Sequence, residues 1–143
     1  MRNKILMFFV TTSMFALMGG ASAYAMLYNA RLEVTIPFAF TVDNQTFPAG
    51  KYEVTAPNNG TDLNLLEIKQ TNGNHAMFFQ TFDTEPAVRP VQTGLVFDRI
   101  DGRDFLSQIW MAGSDKGNEL EKSSQEVRLE KDGHAVQKHV ISR

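Results

Sequence analysis

The stretch Arg31-Leu32-Glu33-Val34-Thr35-Ile36-Pro37-Phe38-Ala39-Phe40-Thr41-Val42 decides the fold class. Leu32, Val34, Ile36, Phe38, Phe40 and Val42 share one face. Arg31, Glu33, Thr35, Pro37, Ala39 and Thr41 share the other. A period of two over that length is the signature of a half-buried β-strand, whereas a helix would scatter the same apolar residues around its axis. Pro37 has no N–H to give to a ladder, so the strand lies at a sheet edge there, bulges, or splits in two.

Working outward, turn chemistry punctuates the chain at short intervals. Asp43-Asn44-Gln45 is the first turn. Pro48-Ala49-Gly50 follows, with Pro fixing φ and Gly suited to the positive φ of a type II turn. Lys51 to Thr55 reads as a strand with Tyr52 and Val54 inward, and Pro57-Asn58-Asn59-Gly60 breaks it. Leu63 to Gln70 is a third strand, in which adjacent Leu65 and Leu66 leave the inward face open. Asn72-Gly73 is a strong hairpin signal. The return strand, His75 to Phe82, holds the adjacent pair Phe78-Phe79, which implies burial on both faces or one exposed ring. Asp83 to Pro90 reads as a loop.

Gly94 to Arg99 is another strand, and Asp101-Gly102 turns it. Phe105 to Met111 returns, with Phe105, Ser107, Ile109 and Met111 on one face and Leu106, Gln108 and Trp110 on the other. Gly113 to Asn118 is a loop. Ser123 and Glu126 have capping-box spacing, and Lys131 lies late in the segment. Ser123 to Lys131 is therefore the one predicted helix, ended by Asp132-Gly133. Val136 to Ile141 is a last strand. The reading is a mainly β protein: a small antiparallel β-sandwich or barrel with one short helix near the C-terminus. Connections this short imply antiparallel neighbours.

The first two dozen residues carry a different message. Arg2 and Lys4 precede an apolar run from Ile5 to Met18, and small residues follow, Gly19-Gly20-Ala21-Ser22-Ala23. That order predicts a secretory signal peptide over residues 1–23, cleaved after Ala23 or after Ala25, ahead of one exported β domain over residues 24–143. The run is shorter than the roughly 20 residues that span a bilayer. The exported part, about 120 residues, has the usual size of one domain. Its expected location is the periplasm or the extracellular space, as a soluble domain with no integral membrane segment. An outer-membrane barrel of eight ten-residue strands would leave almost nothing for loops.

Composition narrows the function classes. The chain has 14 basic and 16 acidic residues. Arg2 and Lys4 fall in the predicted signal, so the exported part is the more acidic. No clustered basic face favours nucleic acid as a partner. There is no cysteine, which excludes thiol catalysis, cysteine-based zinc sites and disulfide support.

Several pieces of the chain occur together in a recognisable order. They are Ile36-Pro37-Phe38-Ala39-Phe40-Thr41-Val42, Pro48-Ala49-Gly50-Lys51-Tyr52-Glu53-Val54, Leu95-Val96-Phe97 and Phe105-Leu106-Ser107-Gln108-Ile109-Trp110. Ala112-Gly113-Ser114, Glu119-Leu120 and Ser123 complete the set. The pattern resembles an uncharacterised group of small exported bacterial β proteins. The resemblance covers most of the chain after the signal. It implies an exported single-domain β protein, and carries over no activity and no functional residue.

The residue types that could carry chemistry are sparse. Asp98, Asp101 and Asp104 form an acidic cluster of the kind used in glycoside hydrolysis or calcium binding. However, Asp101-Gly102 is a hairpin tip, Arg99 and Arg103 lie among the acids, and the spacing is not that of a calcium loop. A solvated turn is the simpler expectation. His75, His134 and His139 do not make a zinc set: five residues apart, the last two fall on opposite faces of a strand or roughly 140° apart on a helix. They read as surface histidines.

Gly113-Ser114-Asp115-Lys116-Gly117 lacks the order of a phosphate loop. Ser107 and Ser114 lack a nucleophile-elbow context. The sequons at Asn44 and Asn59 fall at turns and are coincidental in a bacterial host. The aromatics, Phe38, Phe40, Phe47, Tyr52, Phe78, Phe79, Phe82, Phe97, Phe105 and Trp110, fill a core or line an apolar cavity.

No cofactor or metal is implied. The expected function is a non-catalytic binding or structural role in the cell envelope or outside it. Phe78, Phe79 and Trp110 are the candidate binding residues, and a protein or a small apolar ligand is the partner class. The alternatives are a lipocalin-like carrier of a small apolar ligand and a carbohydrate-active or metal-assisted hydrolase built on the acidic cluster.

Overall fold

The computed structural model describes residues 31–57, 64–85, 92–112 and 114–143. The predicted signal and its cleavage sites lie outside these residues. So do residues 58–63 and 86–91, with the sequon at Asn59, the first residue of the strand read over Leu63 to Gln70, and most of the loop read over Asp83 to Pro90. The described chain is mainly β, with one short helix near the C-terminus and an open sheet. The strands are β1 (Leu32–Ile36), β2 (Phe40–Val42), β3 (Gln45–Phe47), β4 (Gly50–Thr55), β5 (Leu65–Gln70), β6 (Ala76–Thr84), β7 (Gly94–Ile100), β8 (Arg103–Trp110), β9 (Gly117–Leu120) and β10 (Val136–Ser142). The helix, α1, is Ser124–Lys131.

The deciding stretch divides at Pro37, as its missing N–H allows. Its halves join distant parts of the sheet. β1 pairs antiparallel with β4, while β2 pairs with β3 and, in parallel, with β8. The strand order β1-β4-β5-β6-β9-β8-β2-β3 has β7 and then β10 attached on the other side of β8. The β2–β8 pair is the exception to the antiparallel expectation; about 60 residues separate its strands, ample for the crossover that parallel pairing requires.

The strand β6 also changes partner midway. Its first half pairs with β5 and its second with β9. The sheet thereby folds over on itself, and its two parts enclose one apolar core. Leu32, Val34, Ile36, Tyr52, Val54, Leu66 and Ile68 come from one side, and Phe40, Val42, Phe47, Leu95, Phe97, Leu106 and Ile109 from the other. All six apolar residues of the deciding stretch turn inward, five fully buried and Phe38 half-buried. The edge strand β1 comes alongside β10, and the Arg143 charge reaches Glu33. Glu33 has its carboxyl held below the usual range, chiefly by the hydrogen bond and charge of Lys51.

Rings supply much of the core. Phe40 stacks on Phe47 at 5.5 Å and meets Tyr52 at 5.1 Å and Phe97 at 5.5 Å edge-on. Phe38 meets Phe97 at 5.2 Å. The Tyr52 hydroxyl donates to the Pro48 carbonyl at 2.6 Å, so the one polar atom of this group is satisfied. Each fully buried ring contributes about 1.5–3 kcal/mol through area removed from water.

Four local expectations need correction. Gly50 does not sit in the positive-φ region of a type II turn; it opens β4 opposite Ile36, where a Cβ would stand 2.9 Å from the Gln70 amide. Second, Asp83 and Thr84, read as the start of a loop, are the end of β6. The hairpin expected at Asn72-Gly73 is present between β5 and β6, closed by Gln70 N–H to His75 carbonyl at 2.8 Å, with the Gln70 side chain against Gly73. Third, Gly117 and Asn118, read as the end of a loop, begin the strand β9. Fourth, β8 does not alternate strictly: Ser107 is an extra residue opposite the Val96/Phe97 step, so Leu106 and Ile109 both reach the main core and Phe105 faces away.

Other expectations hold. The hairpin at Asp101-Gly102 has φ of 51° and 73° with Ile100 opposite Arg103, the two-residue geometry that Asp-Gly favours. The Ser123 hydroxyl accepts from the Glu126 N–H while the Glu126 carboxylate accepts from the Ser123 N–H at 2.6 Å, a complete capping box. Gly133, at φ 88°, ends α1 with Gly133 N–H to Glu130 carbonyl and His134 N–H to Leu129 carbonyl. Leu129 then packs on Ile100 and Phe105, covering the outer face of the β7–β8 hairpin.

Burial pushes the Glu126 carboxyl up, against the opposing hydrogen bonds from Ser123, and the Asp98 charge adds to the rise. A carboxyl raised on folding binds its proton more tightly in the native state. Its contribution is therefore fully favourable below the unfolded carboxyl range and is lost as pH rises through the folded value. Glu126→Gln keeps the capping acceptor and removes the buried charge. Urea titrations of the two proteins should show the variant equal or more stable at pH 7, with its advantage shrinking as the pH falls through the raised folded value and gone once it is well below the unfolded carboxyl value of about 4.5. A variant that loses stability at pH 7 would contradict this.

Candidate functional site

The predicted acidic cluster is dispersed by the hairpin that carries it. Asp98 stands opposite Phe105 and Asp104 opposite Arg99, so the two carboxylates leave the sheet on opposite faces. Asp98 is 3% exposed and Asp104 4%. The solvated-turn expectation therefore fails for both. It holds for Asp101, which is exposed at the tip with His134 Nδ1 3.8 Å away.

Both buried acids are engaged by the last strand. Lys138 lies opposite Asp98 and its ammonium reaches Asp98 Oδ1 in a short ion pair. Ser107 Oγ lies 3.1 Å from the same oxygen and 3.2 Å from the Val96 carbonyl. On the other face, His139 Nδ1 lies 3.3 Å from Asp104 Oδ1 and Arg99 Nε is 4.0 Å from Asp104 Oδ2. The His139 ring stacks on Phe38 at 4.6 Å. β10 pairs only with β7 and leaves Val136 and Val140 exposed, so these contacts hold an edge strand from both sides. A burial cost is offset only where the charge is paired.

Lys138→Met tests this fastening. It leaves the Asp98 carboxylate buried with Ser107 alone. The expected loss is about 1–3 kcal/mol by denaturant titration, partly recovered in the Asp98→Asn/Lys138→Met double variant. Equal losses in the single and double variants would show that the pair is not coupled.

Taken as chemistry, the Asp104–His139 pair has the form of a carboxylate orienting an imidazole. Such a pair needs a nucleophile or a substrate group near its free nitrogen. The Ser107 hydroxyl, 3.1 Å from a carboxylate oxygen, is instead at Asp98 on the opposite face. Among the described residues no group of three or more His, Cys, Asp or Glu side chains could hold a metal ion. His75 is exposed near Phe47 and belongs to neither carboxylate.

The three candidate binding residues are not one surface. Phe79 is buried in the core, settling the Phe78-Phe79 pair as one ring in and one out. Trp110 leaves the outer face of β8, yet it is buried: its indole lies over Gly117, and its Nε1–H donates to Gln108 Oε1 at 3.1 Å. Phe78 is 56% exposed, and the residue that joins it is Phe82, 58% exposed on the same outer face of β6. Extending the alternation of the His75–Phe82 strand would have paired the two rings.

The geometry of this face is set from below. β6 changes partner near Thr81, which is buried. The Thr81 N–H and hydroxyl lie 2.7 and 3.2 Å from the Asn64 carbonyl, and Asn118 Nδ2 donates to Thr81 Oγ1 at 2.9 Å. Four residues of strand place the backbones of positions 78 and 82 about 13 Å apart. Phe78 stands opposite Glu67 on β5 and Phe82 opposite Glu119 on β9. Directly opposed side chains are close neighbours, so each ring has a carboxylate beside it.

No family model matches the chain, and no curated protein and no solved structure is similar to it at a significant level. Among the described residues, no helix is long and apolar enough to cross a membrane.

Proposed function

We propose that this chain is an exported, non-catalytic binding domain that works in the periplasm or outside the cell, as its resemblance to small exported bacterial β proteins implies. The observation that carries the reading is the outward placement of Phe78 and Phe82 on a rigid strand. A large ring held half in water is costly unless something covers it. The two buried aspartates are occupied in holding β10, which supports a structural use for the residues most open to a catalytic one. The mutual ring contacts of Phe40, Phe47, Tyr52 and Phe97 support side-chain filling of the interior over a carrier's cavity.

The test is native mass spectrometry of the protein isolated from its own envelope fraction, beside a Phe78→Ser/Phe82→Ser variant. The wild type should carry a partner that the variant lacks, and the signal should be absent from both masses. The two Tm values should agree closely, since exposed substitutions usually change stability by less than about 0.5 kcal/mol. A partner retained by the variant, a small apolar ligand held inside, or an intact Met1 would each overturn the corresponding part of the reading.

A further inference from the structure

We propose that the outer face of β6 recognises a cationic segment in extended conformation, with two Lys or Arg side chains four residues apart, each seated on one phenylalanine–glutamate pair. The inference rests on the binding-domain reading and adds the chemistry of the partner. The face repeats one unit twice: Phe78 with Glu67, and Phe82 with Glu119. An aromatic face attracts a cation through its quadrupole, and a neighbouring carboxylate supplies the counter-charge.

The charges argue for a cation rather than a neutral ligand. Among the described residues the other strand acids each have a basic partner: Glu33 with Lys51, Glu53 with Arg31, Asp83 with Lys116, Asp98 with Lys138 and Asp104 with Arg99. Glu67 and Glu119, the two beside the exposed rings, form no such pair. Lys69, two residues along β5, stands opposite Ala76 beyond the end of the ring pair and makes no ion pair with Glu67. Gln80, between the rings, offers amide groups to a backbone laid across it. The spacing of the units is that of residues i and i+4 on a strand, about 13 Å, so an extended segment matches it without strain.

The experiment is a ¹⁵N–¹H NMR titration of the protein with a capped five-residue peptide, lysine at both ends and threonines between. Peptides with glutamine or glutamate at the ends are controls. The lysine peptide should shift the amides of β5, β6 and β9 and bind at least tenfold more tightly than the glutamine peptide. The preference should fall at least tenfold in Glu67→Gln/Glu119→Gln and weaken with added salt. Equal binding of the lysine and glutamine peptides, lost in Phe78→Ala/Phe82→Ala, would overturn the cationic selection and leave the binding face standing. Shifts elsewhere, unaffected by the ring substitutions, would overturn both. No shifts with any peptide, or self-association abolished by the ring substitutions, would overturn the cationic segment in favour of another occupant.

Discussion

Phe40→Ala is expected to destabilise the protein by about 3–5 kcal/mol, the range for a large buried aromatic cut to a methyl group. Phe40 is fully buried and its ring touches Phe47, Tyr52 and Phe97. It is also the residue at which the three-residue strand β2 meets both β3 and β8, opposite Phe47 and beside Asp104. Truncation therefore removes contacts from both sides of the core at a strand too short to collapse into the space. Native stability is commonly 5–15 kcal/mol, so this single change consumes a large share of it. Urea titration followed by the fluorescence of Trp110, the single tryptophan, checks the prediction. A loss below about 1 kcal/mol would mean that the ring cluster is not the centre of the core. Phe40→Leu, which keeps most of the volume, should cost markedly less.

Gly117→Val is the second large effect. A Cβ built on Gly117 would stand 2.5 Å from the Trp110 ring, and the indole is itself buried and tied by its N–H to Gln108. A packed ring cannot swing aside as the end of a flexible chain would. Overpacking of this kind costs about 1–3 kcal/mol, and the backbone of β9 lies between β6 and β8, so the strain reaches three strands. The variant should lose that stability while Trp110→Ala/Gly117→Val recovers part of the steric term, measured as a positive coupling in the cycle. An additive double variant would show that Trp110 does not press on position 117.

The sequence is legible where local chemistry and burial agree. The alternation from Leu32 to Val42 names the inward residues correctly because a strand's period is indifferent to which sheet it enters. The capping box at Ser123 and the stop at Gly133 are local, and both are read directly. What could not be read depends on distant partners. Asp98 and Asp104 look like turn acids until Lys138 and His139, more than 30 residues away, are placed beside them. β9 is four residues long with one buried apolar side chain that packs into the core, Leu120, too little for a period. The extra residue at Ser107 breaks the pattern of β8 without any Gly or Pro to mark it; its hydroxyl bonds to Val96 and Asp98 provide the compensating contact. Of the candidate binding residues, only Phe78 is on the exposed face. Its companion Phe82 and the two glutamates became a group only when β5 and β9 took their places beside β6.

The division at Pro37 has a kinetic consequence. Among the described residues β1 is the first strand made, and it finds its partner β4 within two dozen residues. β2 follows three residues later but waits for β8, about 60 residues further on. Until Asp104 and Phe105 emerge, Phe40 and Val42 have the β3 hairpin and the Tyr52 ring of β4 beside them, but neither Phe97 nor β8. Closure of so long a loop places this topology among the slower-folding small domains, on a scale of milliseconds to seconds. A growing chain would carry this apolar segment only partly covered until then, the condition under which chaperones are needed.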